Sequence, residues 1–334
     1  MKIFFGAIIK FILLLLVFIL LLSLGSVIIN PVVTLKILIN SLFGYELFTQ
    51  TWNKNLEIII IDIRLFRIIF AFLVGAALSL AGDITQKVTK NPLMDPYILG
   101  VSSTVVLANI ILLIFNIDNI LIRVLLSVCM SLFTLAFILI VTKKVGRGTN
   151  IIMILVGFSL STAISSVNSI LLYVKTEGTQ FKSFIFWSMG NLEIYNYKLL
   201  LFVLFVFTLS VLLVNIFKKE YELISMGESF ASNTGLDYHK YNNYFLMISV
   251  VLTSVIVSVC GTIGFIGIII PNVVKFLNFK NNLFGIILLG GILLVVSDLF
   301  SRMILPPLEL PVGIVTSLLG GIFFIYYIMV INHD

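Results

Sequence analysis

Residues 199–217 read LLLFVLFVFTLSVLLVNIF, and residues 11–29 read FILLLLVFILLLSLGSVII; neither stretch contains a charged residue. A transmembrane helix needs about 20 consecutive, mostly apolar residues, so each stretch has the length and composition of one span. Both runs are continuously apolar, whereas the strands of a transmembrane barrel alternate apolar and polar residues over short segments. The two stretches therefore predict an all-α membrane protein.

The composition of the whole chain supports this class. Of its 334 residues, 60% are hydrophobic and 11% are charged, against roughly 25% charged in an average soluble domain. So few charges exclude a cytosolic enzyme, a nucleic-acid-binding domain and a disordered chain. A chain of this length has room for about ten spans in one bundle. We place them at residues 4–29, 64–84, 97–115, 120–142, 150–173, 197–217, 243–260, 263–279, 283–300 and 311–331.

Two segments between these spans are polar, residues 30–63 and the charged residues 218–242. The N-terminus resembles a signal peptide because Lys2 and Lys10 flank an apolar core. The apolar stretch is long, however, and no small-residue cleavage site follows it, so we predict a retained first span.

The distribution of basic residues indicates an orientation. With the N-terminus inside, twelve of the 21 Lys and Arg residues fall on the inner side and nine on the outer side. Excess positive charge marks the cytoplasmic side, so we expect the N-terminus in the cytoplasm. An even number of spans then places the C-terminus there as well.

Small residues recur at helical spacing in two spans. Ala71, Gly75 and Ser79 lie four residues apart, and Gly313 and Gly321 flank Ser317 in the same way. Such stripes let helix backbones approach closely in lipid. They predict tight helix packing rather than a particular chemistry.

Catalytic motifs are missing from the sequence. It contains no P-loop pattern G-x-x-x-x-G-K-[ST], no H-E-x-x-H and no G-x-S-x-G. We therefore predict no catalytic residue and no cofactor in this chain, and any energy source is an ion gradient or another subunit. Asp83 and Asp298, near the ends of spans, are candidates for an ion relay, although helix-end carboxylates that are hydrated or paired are the simpler interpretation.

The polar segment after the sixth span has helix-boundary signals. Ser225 and Glu228 match the capping box S-x-x-E, which starts a helix. Gly235 suits the left-handed residue that ends one, and Asp237 can cap a further helix. We predict two short helices at the inner surface, joined at Gly235.

Three arginines lie beside spans on the predicted outer side: Arg64, Arg67 and Arg302. They are interpreted either as interfacial anchors for lipid headgroups or as a positive rim that docks an acidic partner, because Arg pairs bidentately with carboxylates. The residues alone leave both interpretations open.

Five motifs together resemble the FecCD/BtuC family of ABC importer permeases. Residues 64–67 (RLFR) with 73–82 (LVGAALSLAG) and Gln86 are similar to the family's second helix, and residues 91–103 (NPLMDPYILGVSS) to its N-P-L-x-x-P…L-G-V-S-S signature. Gly227, Glu228, Ala231 and Gly235 resemble its cytoplasmic coupling segment. Residues 264–271 (GFIGIIIP) resemble its G-F-[IV]-G-L-x-x-P motif. Asp298…Arg302 with residues 309–313 (ELPVG) resemble its last motif.

The resemblance implies a type II ABC importer fold, BtuC-like, with ten spans in a single transmembrane permease domain over residues 1–334. Cytoplasmic coupling helices at about 225–243 are then expected to contact an ABC ATPase dimer through Gly227, Glu228, Ala231 and Gly235. Arg64, Arg67 and Arg302 are expected to face acidic residues of an extracytoplasmic substrate-binding protein. A second permease subunit, identical or different, completes the pathway in the bacterial cytoplasmic membrane.

The resemblance also indicates the cargo, with a ferric siderophore favoured over haem or cobalamin. Because the iron is then bound within its chelator, we expect no metal ligand in this chain. Three positions depart from the family pattern: Asn272 where His is more common, Asp83 where small or apolar residues are usual, and Phe66 where Pro is common. Two alternatives remain open at this point, a gradient-driven secondary transporter that depends on Asp83 or Asp298, and a non-transport membrane protein such as a sensor or assembly factor.

Overall fold

A computed structural model describes residues 15–43, 47–146, 150–175, 178–193, 196–279 and 282–331. These residues form helices joined by turns and short irregular segments, and no strand forms within them. The first helix is described over residues 15–23 and is named α1; residues 4–14 of the predicted first span lie outside the described part.

Fourteen further helices follow α1. They are α2 Pro31–Phe43, α3 Lys54–Glu57, α4 Phe66–Thr89, α5 Val101–Ile114, α6 Ile120–Gly146, α7 Asn150–Lys175, α8 Gly178–Ser188, α9 Tyr197–Ile216, α10 Lys218–Met226, α11 Glu228–Asn233, α12 Tyr238–Cys260, α13 Ile266–Phe276, α14 Asn282–Met303 and α15 Val312–Ile331.

The spans fall into two length classes. Within the described residues, five helices are long and apolar enough to cross a membrane: Ile120–Val145, Asn150–Val174, Tyr197–Ile216, Tyr238–Cys260 and Asn282–Met303. Three apolar helices are shorter: Pro31–Phe43, Val101–Ile114 and Ile266–Phe276. The apolar helix α15 has 20 residues, Val312–Ile331. The all-α membrane bundle predicted from the sequence is confirmed.

The centre of the bundle is α4. Its 24 residues, about 36 Å at 1.5 Å per residue, are buried almost throughout. It packs against α12, α13 and α14, and a π-helical segment, Ile58–Leu65, joins it to α3 without a break. The predicted polar connection over residues 30–63 therefore contains α2, α3 and this π-helical extension, so its assignment as a mere connection is wrong.

The Gly75 stripe makes the packing of α4 close, as predicted. A Cβ atom on Gly75 would lie 2.3 Å from the carbonyl oxygen of Gly290 in α14, and one on Gly82 would lie 2.1 Å from that of Gly267 in α13. Ser79 donates a hydrogen bond to the carbonyl of Ile286, at 3.0 Å. No side chain fits between these backbones.

One predicted span is wrong. Residues 263–279 form only the 11-residue α13, about 16 Å long, which is half the hydrocarbon thickness. Gly261 and Phe265 have positive φ angles of 72° and 69° and interrupt the helix. The freed amides of Thr262 and Ile263 donate to the Ser188 carbonyl and the Tyr97 hydroxyl.

Candidate functional site

We name the two ends of α4 after the predicted orientation: the outer end carries Arg67, and the inner end carries Asp83 and Lys90. The helices α10 and α11 lie at the inner end, where α10 contacts α4, α9 and α12. They meet at Gly227, whose φ of 110° and ψ of 169° turn the chain sharply between them. The coupling segment predicted at residues 225–243 therefore covers the end of α10, the whole of α11 and the start of α12. We call α10 and α11 together the α10–α11 unit.

The capping box predicted at Ser225 is wrong. Ser225 lies inside α10, and its hydroxyl donates back to the carbonyl of Glu222, at 2.6 Å. Helix α11 begins at Glu228 with Gly227 at the N-cap position and no side-chain cap. The junction of the two short helices is therefore Gly227 rather than Gly235.

The C-terminal signals are confirmed. Gly235 has a φ of 82°, and its amide and that of Leu236 donate to the carbonyls of Ser232 and Ala231, which is the Schellman pattern. The Asp237 carboxylate accepts a hydrogen bond from the Lys240 amide. The helix that Asp237 caps is the whole of α12, however, and not the predicted short helix ending near residue 243.

The surface of α11 is polar with two exposed apolar side chains. Phe230 is 50% exposed and Met226, at the end of α10, is 58% exposed. Glu228 is exposed and pairs with His239 at 3.5 Å. Ala231 is fully buried, so it packs the unit against the bundle, whereas Glu228 and Phe230 are accessible to another molecule.

The α10–α11 unit is attached to the inner end of α4 at two points. The Tyr221 hydroxyl donates to the Asp83 carboxylate at 2.7 Å, and the Lys90 ammonium donates to the Met226 carbonyl at 3.0 Å. Sequence analysis did not single out Tyr221 or Lys90. The signal available for Tyr221 was a large aromatic residue within an otherwise charged segment.

A second cluster lies at the outer end and is held by charge. The Arg67 guanidinium donates to Asp298, at 2.8 Å, and to Glu309, at 2.6 Å, and lies 3.9 Å from the Glu193 carboxylate. Asp298 also pairs with Arg302, at 3.1 Å. The cluster joins α4, α14 and the segment before α15.

The third arginine, Arg64, donates hydrogen bonds to carbonyl groups at the C-terminal end of α1. Arg64 donates to the carbonyls of Leu22 and Ser23 at 2.7 and 3.0 Å and to that of Val27. Leu22 and Ser23 belong to the last turn of α1, where carbonyls have no intrahelical donors, and Val27 lies shortly after it. Gly25 leaves room for the guanidinium, because a Cβ there would lie 3.1 Å from Arg64 Nη2.

The three arginines are therefore buried rather than exposed. Arg64 and Arg67 are each 4% exposed and Arg302 is 3% exposed. Both interpretations of these arginines assumed accessible guanidinium groups, and that assumption is wrong for the described structure. Docking of a binding protein at the outer end stays a prediction.

Two signature segments meet near the inner end of α4. Asn272 donates to the carbonyls of Pro92 and Ile268, at 2.9 and 2.8 Å, and Gln86 donates to the Gly267 carbonyl at 3.0 Å. The Asn272 amide thus ties the segment after α4 to α13. This bridging role needs an NH₂ donor and no metal ligand; among the described residues, no group of His, Cys, Asp or Glu is placed to hold a metal ion.

Comparison with known proteins identifies the class. The FecCD transport family matches residues 13–330, so this chain belongs to that family. The chain is 33% identical over 271 residues to an ABC transporter permease protein of Bacillus subtilis, YvrB, covering 79% of this chain and 76% of the relative.

Other relatives carry more specific names. The hemin transport permease HmuU of Yersinia pestis is 29% identical, over 86% of this chain and 88% of its own length. The iron(3+)-hydroxamate import permease FhuG of B. subtilis is 29% identical, over 97% and 96%. A solved metal-chelate type ABC transporter in an inward-facing conformation superposes with a TM-score of 0.74 at 26% identity, covering 88% of this chain and 98% of that one.

Proposed function

We propose that this chain is the transmembrane permease subunit of a binding-protein-dependent ABC importer, and that its cargo is a ferric siderophore. The observation that carries the proposal is the family match over residues 13–330. The hydroxamate permease, which aligns over nearly the whole chain, supports a siderophore. Haem and cobalamin are the alternative cargoes, because hemin and vitamin B12 permeases are also relatives.

The α10–α11 unit is the proposed seat of a cytoplasmic ABC ATPase dimer, which supplies the ATP hydrolysis. Its Phe230 and Met226 are exposed apolar side chains outside the long spans, and exposed apolar surface commonly marks protein interfaces. Glu228 adds an exposed charge to this unit. Gly227 and Gly235 set the shape of the unit, and buried Ala231 holds it to the bundle.

A second permease subunit is proposed to pack beside α7. Only 11% of the most apolar 18-residue stretch of α7 is buried within the described bundle. Its exposed side carries Ser159, Thr162, Ser166 and Ser169, three or four residues apart and hence on one helix face. A hydroxyl-bearing face suits a boundary with a second subunit and a cargo path better than contact with lipid tails.

An extracytoplasmic substrate-binding protein is proposed to dock at the outer end. Because Arg67 already pairs with Glu309 and Glu193, a docking carboxylate reaches it only by replacing one of these two. The subunit is proposed to reside in the bacterial cytoplasmic membrane with both termini in the cytoplasm.

The charged groups argue against a gradient-driven carrier. Asp298 pairs with two arginines, and Asp83 pairs with Lys87 at 2.8 Å. A carboxylate that relays an ion must exchange its partner during each cycle, and here both carboxylates are already engaged by cations of the chain itself.

The test is purification from the native membrane in mild detergent, followed by reconstitution with the proteins that co-purify. We expect an ATPase subunit in equal amount and uptake of a ferric siderophore that requires ATP. Glu228→Arg and Phe230→Asp should each release the ATPase. Phe276→Asp is the matched control, because Phe276 is an exposed aromatic residue at the end of α13, outside the unit. Uptake without any ATPase would instead support a secondary carrier.

A further inference from the structure

The Asp83 carboxylate is buried at the inner end of α4, with 1% of the residue exposed. One of its oxygens, Oδ2, accepts from the Tyr221 hydroxyl at 2.7 Å and from the Lys87 ammonium at 2.8 Å. Lys87 comes from the next turn of α4, whereas Tyr221 comes from α10. The carboxylate therefore bonds the central helix to the proposed ATPase seat.

The buried Tyr221 ring has two further contacts, one aromatic and one with a cation. Its ring lies 4.9 Å from that of Phe245 in α12, between ring centroids, and the Lys87 ammonium lies 4.4 Å from the Tyr221 centroid. Burial and the nearby Asp83 raise the pKa of the Tyr221 phenol well above its ordinary value. The phenol therefore stays protonated, and its O–H group donates the hydrogen bond to the Asp83 carboxylate.

The second attachment of α10 lies five residues further on. Lys90 Nζ donates to the carbonyl of Met226, about 7.5 Å along the helix from Tyr221 at 1.5 Å per residue. The approach depends on Gly227, because a Cβ there would lie 1.5 Å from Lys90 Nζ. Two attachments separated along α10 prevent it from pivoting about either one.

The bond at Asp83 also has a direction that packing lacks. Apolar contacts are non-directional, so two helices joined only by them can slide. A hydrogen bond to an ionised group is short and directional, and roughly twice as strong as a neutral one. Burying a carboxylate and an ammonium does little for net stability, which makes a positioning role the better account of this pair.

The spanning helices next to α10 are packed closely enough to move together. α4 packs against α13 and α14 with no space for a side chain at Gly82 and Gly75. A displacement of α10 that reaches Asp83 is thus carried by α4, α13 and α14 as one body.

We infer that Asp83, held by Lys87 and bonded to Tyr221, is the positioning residue that transmits movement of the ATPase seat to α4. This inference rests on the proposed function. It assigns to a buried carboxylate the conversion of ATPase motion into movement of the spanning helices.

The test uses the reconstituted complex with its co-purified ATPase. Tyr221→Phe removes one hydroxyl and keeps the ring in its contact with Phe245. We expect the ATPase to remain bound while cargo transported per ATP hydrolysed falls about tenfold, which corresponds to about 1.4 kcal/mol. The matched control is Tyr241→Phe, since Tyr241 lies on α12 and packs its ring against Phe217 of α9–α10 at 5.9 Å.

The transport-to-hydrolysis ratio separates transmission from stability, because loss of folded complex lowers both quantities together. Asp83→Asn should lower the ratio as well. The Tyr221→Phe/Asp83→Asn double variant should be no worse than the more severe single one, because both act through one bond. An unchanged ratio in Tyr221→Phe, in a complex that hydrolyses ATP and transports, refutes the inference and leaves the proposed function intact. A wild-type preparation without an ATPase refutes the proposed function itself.

Discussion

Asp298→Asn tests whether charge holds the outer end of the bundle together. The substitution keeps the shape of a side chain that is 1% exposed and removes its negative charge. Arg67 and Arg302 then lose the carboxylate that lies 2.8 and 3.1 Å from them. Arg67 keeps the Glu309 carboxylate and the more distant Glu193.

The magnitude follows from the burial of all three groups. Removing one partner of a buried ion pair costs up to about 3–5 kcal/mol, and we expect a cost toward the lower end of this range because Arg67 keeps the Glu309 carboxylate. Each kcal/mol lowers the melting midpoint of a chain of 150–250 residues by about 2–4 °C, and that of a longer chain by less, so for these 334 residues we expect a decrease of several degrees. The assay is thermal unfolding of the purified protein in detergent, followed by tryptophan fluorescence.

Asp118→Asn is the matched control. Asp118 is 97% exposed and pairs with Arg123 at 3.4 Å, and exposed pairs contribute little to stability. We expect its midpoint to stay close to that of the wild type. Equal midpoints for Asp298→Asn and Asp118→Asn would refute the role of the buried charge cluster.

Three further predictions concern backbone space and a buried acid. Gly82→Ala should lower the unfolding midpoint by several degrees, because its Cβ would lie 2.1 Å from the carbonyl oxygen of Gly267 and overpacking costs about 1–3 kcal/mol; an unchanged midpoint contradicts this. Burial raises the pKa of Asp95, in the connection after α4, from 3.8 to about 6, so its folded state favours the protonated form and stability falls as pH rises from about 4 to 6. Asp95→Asn should therefore remove that decrease, and a pH series of midpoints that matches the wild type counts against it. Gly235→Ala should speed hydrogen exchange in α11 because of its φ of 82°, whereas Gly321→Ala, also in open space but helical, should have no such effect.

Local features of the fold could be predicted from the sequence. The apolar run at residues 199–217, the Gly75 stripe, the Gly235 terminus and the Asp237 cap each depend on residues close together in the chain, and the structure confirms them. The apolar run at residues 11–29 is helical only over 15–23 within its described part, so its predicted end at residue 29 is wrong. The helix start predicted at Ser225 is wrong although its capping box is also a local signal. Burial of Tyr221 and Ile224 extends α10 through Ser225 instead.

The charge pairing could not be predicted in this way. Arg67 finds Asp298 across 231 residues and Glu309 across 242. The sequence showed three arginines beside apolar spans, and without the partners they were expected to be exposed. Likewise, a residue such as Asp83 in a span indicates a function only once its contact with α10 is known.

The bond between Arg64 and α1 has a consequence for synthesis of the protein in the membrane. The Leu22 carbonyl, in the last turn of α1, accepts from Arg64, 42 positions further along the chain. A chain still emerging from the ribosome thus lacks this donor until Arg64 has been made, whereas the Ser23 carbonyl can already accept from the Ile29 amide. Insertion of α1 and completion of its end are therefore separate events, and the second waits for the start of α4.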